Sequence, residues 1–338
     1  MAYDEYTPKE ISSLMGLIDT YLRWDQYQTK DDRSYAHYHP SEWGKCLRSQ
    51  QYKHYAHLGY IQKEFSNFDS KILRLFGKGH NMHNRWVSYF DKIGDILLGR
   101  WRCTNVMCSM FNEDGAKMDV TDDEIKGMYA ERKTRIYGNK GAMLRPKSCV
   151  CGCPNFEYEE APVVDEQYNF RGHADIILDC TNLDVDRFKD VPITFDKKFL
   201  PTDGQKVVCD FKTINSRAWT NQLKNNGPHK SYLIQLTIYT HILDCDYGIL
   251  MYENKDNSEI RFYTVPRNEK WWDTIKYQAK TMAEMATGDV HRLPPPRPMK
   301  LDCYECINCD FRNMCRESNI WKKSNLNESR RNFYKDLL

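Results

Sequence analysis

The chain has 338 residues, 41% of them hydrophobic and 13% aromatic, enough apolar material for one large domain with insertions or two modest ones. Its 49 basic and 47 acidic side chains leave a net charge of +2, so composition does not announce a nucleic-acid binder, although a local basic patch in a neutral protein can serve. No apolar run approaches the ~18 residues needed to cross a bilayer, and the opening MAYDEYTPKE lacks the basic-then-apolar order of a signal peptide. The expectation is a cytoplasmic protein without membrane contact.

In chain order, SSLMGLIDTYLRW has apolar residues at helical spacing. So does the stretch from Ile72 to Leu98, with Phe76, Val87, Phe90, Ile93 and Leu97 on one stripe. A polar segment bracketed by cysteines, from Cys103 to Cys153, reads as an insertion. Beyond it come HADIILDC, KVVCDFKT and DYGILMY, short runs rich in Val, Ile, Leu or Tyr that mark buried strands. YLIQLTIYTHIL is long and periodic enough for a helix, EIRFYTV reads as a further strand and WWDTIKYQAKTMAEMA as another helix. HRLPPPRPMK is a proline-rich linker that no helix crosses, and the tail from Arg316 carries Lys322, Lys323, Arg330, Arg331 and Lys335.

This order predicts a mixed α/β fold with its sheet built mainly from residues ~160 to ~265. The divisions follow: an N-terminal helical region over 1–100, a cysteine-bounded insertion over 101–160, a catalytic core over 161–292, and a linker, cysteine segment and basic tail over 293–338.

Asp175 opens the apolar run IIL, and Asp210 follows KVVC and precedes Phe211 and Lys212, which puts both carboxylates at strand ends. Two carboxylates hold a hard cation such as Mg²⁺ or Mn²⁺. Asp210 and Lys212, two apart on a strand, point to one face, where the lysine reaches a metal-bound water or a scissile phosphate. An Asp-x-Lys pair alone is more often a solvated surface pair. Gln235 and Tyr239, four apart, share one helix face, and His83 lies near the start of a helix.

Taken in order, Gly79 with His83, Gly172 with Asp175, Asp210 with Lys212, and Gln235 with Tyr239 resemble the motifs of RecB-like nucleases of the PD-(D/E)xK class. The resemblance implies a restriction-endonuclease-like core, a mixed sheet flanked by helices, that hydrolyses DNA. It implies that His83, Asp175, Asp210 and the Phe211 carbonyl bind the catalytic Mg²⁺ or Mn²⁺. Lys212 would orient or deprotonate the attacking water and stabilise charge on the phosphate, while Gln235 and Tyr239 position the substrate strand and the lysine. The chain has Asp where the family often has Glu before x-Lys.

The thirteen cysteines, in a long chain expected in a reducing compartment, favour metal over disulfides. Cys303, Cys306, Cys309 and Cys315 are spaced for a local zinc site. Alternatively, Cys46 with Cys306, Cys309 and Cys315 resembles the iron–sulfur subgroup of the same nucleases, which includes CRISPR-associated exonucleases and the nuclease domain of AddB-type helicase–nucleases. That match implies a [4Fe–4S] cluster, with Cys303 spare. In the insertion, Cys103 and Cys108 with Cys149 and Cys153 look like two halves of a zinc ribbon, and Cys151 can replace either of the latter two; free buried cysteines are the alternative, which the glycine and the charged surroundings disfavour.

The expected function is therefore DNA exonuclease action in recombination, repair or processing, in a prokaryotic cell or a phage-infected host. A structure-specific endonuclease on the same core, or a DNA-binding assembly protein without catalysis, is the alternative. No Gly-x4-Gly-Lys-Ser/Thr loop occurs, so helicase action requires a partner protein; a helicase or recombination partner and a homo-oligomer both remain open.

Overall fold

The computed structural model describes residues 12–28, 35–62, 69–105, 142–149, 152–184, 186–188, 190, 201, 204–287, 304–307 and 309–317. The proline-rich linker, the lysines and arginines of the tail, Cys108, Cys151 and Cys303 lie outside the described residues.

Four helices come first: α1 (Ser12–Gln28), α2 (Pro40–Trp43), α3 (Leu47–His57) and α4 (Ser70–Ile93). Helix α4 starts where the Asp69 side chain accepts the Lys71 N–H, a cap worth about 1 kcal/mol. The expected helix running on to Leu98 stops five residues early. Gly94 (φ 88°) and Asp95 (φ 52°) both have positive φ, which ends the helical ladder. The apolar periodicity thus spans two elements, because Leu97 and Leu98 open strand β1 (Leu97–Cys103).

Strands β2 (Met143–Leu144), β3 (Phe156–Glu159), β4 (Ala161–Asp165), β5 (Phe170–Ala174), β6 (Ile176–Asp179) and β7 (Lys206–Ile214) follow. Helix α5 (Lys230–Ile242), strands β8 (Tyr247–Asn254) and β9 (Ile260–Pro266), and helix α6 (Glu269–Thr287) complete the core. Two short helices close the described chain, α7 (Tyr304–Ile307) and α8 (Arg312–Glu317).

The main sheet runs β2-β1-β6-β7-β8-β9, with β3 also paired to β1. It is mixed: β7 and β8 are parallel, joined by the α5 crossover that parallel neighbours need, and the other pairs are antiparallel. Helix α5 is covered on most sides by the sheet, α2 and α6, which explains why apolar residues occupy most of its faces. Leu236 and Ile238 are fully buried there, and truncating either to Ala would cost about 2–5 kcal/mol. The sheet reaches further back than residue 160. Strand β1 straddles the 100/101 division, and β2 and β3 come from the far side of the insertion, so both ends of that segment are tied into the sheet.

Strands β4 and β5 form a separate two-stranded hairpin. A Cβ at Gly172 on β5 would sit 3.2 Å from Pro40 Cδ and 3.6 Å from the Tyr239 hydroxyl, so the glycine lets α2 and α5 approach closely. Nothing lies within 4 Å of a Cβ at Gly79.

Candidate functional site

The acidic residues meet where two strands change sheets. The run HADIILDC is not one strand: β5 belongs to the hairpin, β6 to the main sheet, and Asp175 is the hinge between them. On the opposite strand Glu160 plays the same part between β3 and β4. The last hairpin pair is Ala161 with Ala174, so the register sets Glu160 beside Asp175.

Asp210 is in the interior of β7, not at its end as expected, but it stands where β7 loses a partner. The last β6–β7 pair is Ile176 with Cys209. Beyond it the Phe211 N–H, freed from the ladder, donates to Asp175 Oδ2 at 2.6 Å. His83 lies mid-way along α4, not near its start, and presents Nδ1 3.6 Å from Asp175 Oδ1. Its ring meets Phe211 edge-on, with centroids 5.6 Å apart.

The remaining motif residues converge on Asp210, which is fully buried. Lys212 Nζ lies 2.6 Å from Asp210 Oδ2 and 4.9 Å from the centroid of the Tyr232 ring. Gln235 Nε2 donates to Asp210 Oδ1 at 2.9 Å and to the Tyr239 hydroxyl at 3.1 Å. Tyr239 in turn donates to the His173 carbonyl at 2.8 Å, which ties α5 to the strand that delivers Asp175. All six motif side chains named above thus occupy one region, in two subsets. Potential ligand atoms of His83, Asp175 and Glu160 lie within 4.8 Å of one another, while Asp210 faces Lys212 and Gln235. Glu160 was not expected from the sequence. Its signal, the hairpin register across VVDEQYNFRG, shows only once the two strands are paired.

Burial pushes the Asp210 carboxyl up to about 6, with Lys212 opposing. It raises Asp175 as well, again against Lys212. Glu160, at the exposed mouth, is pushed up to about 7 by partial enclosure and then by Asp175 and Asp210. Burial and then Lys212 lower His83, which favours the neutral imidazole that ligates metals. Burial alone would lower Lys212, but Asp210 and Asp175 outweigh it and hold the ammonium above its usual range.

These carboxyls must lose protons before they hold a cation, so Mn²⁺ affinity should rise with pH from about 5 to about 8 and binding should release protons. Glu160→Gln should weaken Mn²⁺ about tenfold at pH 8 and flatten the dependence near pH 7. Calorimetry in buffers of different ionisation heat reads both. Unchanged affinity in the variant would remove Glu160 from the ligand set.

The cysteines separated by 269 positions also come together. Cys46, Cys306, Cys309 and Cys315 line one open pocket with Arg48, Ser49, Tyr52 and Arg312. Cys46 stands at the N-cap position of α3, Cys306 is on α7, Cys315 on α8 and Cys309 between those two helices. Phe311, fully buried against Tyr52, pins this end down. Cys309 Sγ donates to Ser49 Oγ at 3.8 Å. Burial pushes the Cys46 thiol up to about 11, which favours its protonated form. Among the described residues no three cysteine sulfurs lie within 4.8 Å of one another.

At the other cysteine group, Cys149 N–H donates to the Cys153 carbonyl and Gly152 N–H to the Cys149 carbonyl, a tight turn with Gly152 at φ 79°. Cys103 ends β1 next to it: Thr104 N–H donates to the Asn155 carbonyl, and Thr104 Oγ1 is 3.9 Å from Cys153 Sγ. Asn105 N–H donates to Cys103 Sγ at 3.4 Å.

No family model matches the chain, and no curated protein matches its sequence. Among solved structures it is similar to the crystal structure of SSO0001, at 14% identity and a TM-score of 0.36, over 90% of this chain and 96% of that one. It is also similar to an alkaline exonuclease (LHK-Exo) from Laribacter hongkongensis, at 9% identity and a TM-score of 0.27, over 52% of this chain and 73% of that one. These values are too low to assign a fold family. No helix among the described residues is long and apolar enough to cross a membrane.

Proposed function

We propose that this protein is a metal-dependent DNA exonuclease on a RecB-like PD-(D/E)xK core, with Mg²⁺ or Mn²⁺ at the catalytic site. The observation that carries the reading is the meeting of His83, Asp175, Asp210, Lys212, Gln235 and Tyr239 in one place from four separate stretches of chain. The donor set, one neutral imidazole and carboxylates at a buried strand junction, suits a hard divalent cation, with Glu160 as a further ligand beside His83 and Asp175. Such an ion, when bound, makes a water nucleophilic at neutral pH.

The chain's own groups do the rest. Lys212, seated on Asp210, would neutralise charge on the phosphate and orient or deprotonate the attacking water. Gln235 and Tyr239 fix the Asp210 carboxylate, so that it presents one geometry to Lys212 and the ion. Linear and circular DNA, single- and double-stranded and labelled at either end, with Mg²⁺ or Mn²⁺, test the proposal. Stepwise release of nucleotides from linear ends supports it. Cutting of closed circles would move the reading to an endonuclease, and binding without hydrolysis to an assembly protein.

The cysteine cavity fits an iron–sulfur cluster held by Cys46, Cys306, Cys309 and Cys315. Tetrahedral zinc ligands, with Zn–S of about 2.3 Å, stand under about 4 Å apart, whereas among the described residues no three cysteine sulfurs come within 4.8 Å of one another. The Cys149–Cys153 turn beside Cys103 supports a zinc proposal that also needs Cys108. Elemental analysis after metal-replete expression should then find about one zinc per chain; none would return these residues to free thiols.

A further inference from the structure

We propose that α1 is a self-association helix, on which α1 of a second copy of this chain docks antiparallel along the stripe of Leu14, Leu17, Tyr21 and Trp24. The inference is independent of the catalytic reading and of the cysteine centre.

Helix α1 turns its polar side to the protein and its apolar side to solvent. The four stripe residues are spaced by three, four and three positions, the seam pattern of a helix that pairs with another helix. With Met15 and Ile18 beside them, all six are between 48% and 66% exposed. The contacts with α4 are polar instead. Asp19 forms an ion pair with Arg74. Arg23 Nε donates to Ser70 Oγ at 3.0 Å, and Ser70, the first residue of α4, is buried. Asp19 and Arg23, four apart, share a face roughly opposite the stripe when each residue turns the helix by about 100°.

The size of this face fits an interface between copies. Six residues of roughly 200 Å² each, about half exposed, leave about 700 Å² uncovered. A monomer rarely exposes more than about 300–600 Å² in one apolar patch. Each partner of a stable interface buries about 800 Å². The stripe also matches itself. Positions 14 and 24 are equally far from 19, as are 17 and 21. A two-fold axis at that level sets Leu14 of one copy on Trp24 of the other, and Leu17 on Tyr21, so every contact is aliphatic against aromatic. The Tyr21 and Trp24 rings already stand together, with centroids 6.2 Å apart. A membrane surface suits the helix less well. Its one basic residue, Arg23, is held by Ser70, and Asp19 and Asp25 accompany it, whereas membrane-surface helices carry a cationic polar face.

Sedimentation equilibrium of the full chain tests the proposal on wild type, Leu17→Lys, Tyr21→Glu and an equimolar mixture of the two variants, with circular dichroism to confirm folding. Wild type should approach twice the chain mass in the micromolar range. Each variant alone should dimerise about 100-fold more weakly, because the two-fold axis repeats the change at two contacts. The mixture should recover association, since one contact then joins opposite charges while the other keeps Leu17 on Tyr21. A wild type that stays monomeric, or folded variants that dimerise as it does, would overturn the proposal. Dissociated variants that fail to recover when mixed would overturn the antiparallel pairing. Dimerisation that appears only after removal of residues 1–11 would give the face to the chain's own N-terminal segment, and a monomer that floats with anionic vesicles would give it to a membrane; either result overturns the second copy as its occupant.

Discussion

Lys212→Gln is expected to slow DNA cleavage by about 10²–10³-fold while leaving Mn²⁺ binding in place. The ammonium is the cationic group seated on the Asp210 carboxylate, 2.6 Å away, and both carboxylates hold it charged. The neutral amide keeps hydrogen bonds to Asp210 but supplies no charge to a phosphate. Asp210→Asn should have an effect at least as large, since it removes an acceptor of Lys212 and Gln235 and a ligand together. Breaking a buried ion pair also costs about 3–5 kcal/mol of stability, so amides rather than alanines are the choice, with circular dichroism to check folding. Cleavage at the wild-type rate by either folded variant, in chelator-treated assays with added Mn²⁺, would sink the site.

Cys46→Ser should lose colour, iron and much of its thermal stability, whereas Cys303→Ser should keep all three. Cys46 is the ligand from the N-terminal half, 269 positions from Cys315, and a bridge closing so long a loop removes entropy from the unfolded chain. The closure is already drawn in the fold: α3 carries Cys46, Arg48 and Tyr52 against Phe311 and the C-terminal cysteines. A local zinc site would invert the result, needing Cys303 and sparing Cys46. Anaerobic purification with iron analysis and thermal melts of both variants decides between them. A Cys46→Ser protein indistinguishable from wild type would remove the iron–sulfur proposal.

Much of the secondary structure was legible in the chain, since periods of 2 and 3.6 are carried by neighbouring residues. KVVCDFKT, DYGILMY and EIRFYTV are strands, and YLIQLTIYTHIL is the buried helix α5. The reading failed where one apolar run served two elements. Leu97 and Leu98 continue the stripe of α4 but belong to β1, because Gly94 and Asp95 turn the chain. HADIILDC, read as one strand, divides at Asp175 between two sheets.

By itself, the sequence determined which chemical groups are present and how near neighbours share a face. Asp210 and Lys212 do so at strand spacing, Gln235 and Tyr239 at helix spacing, and Cys306 with Cys309 within one short segment. Tertiary structure alone decided what lies opposite what. It set Glu160 beside Asp175, released the Phe211 N–H for Asp175, turned Asp210 toward Lys212 and Gln235, and enclosed Arg48 and Arg312 with four cysteines. The reason is physical. Local periodicity comes from backbone geometry over a few residues, whereas strand register and the closure of long loops depend on which distant surfaces bury one another.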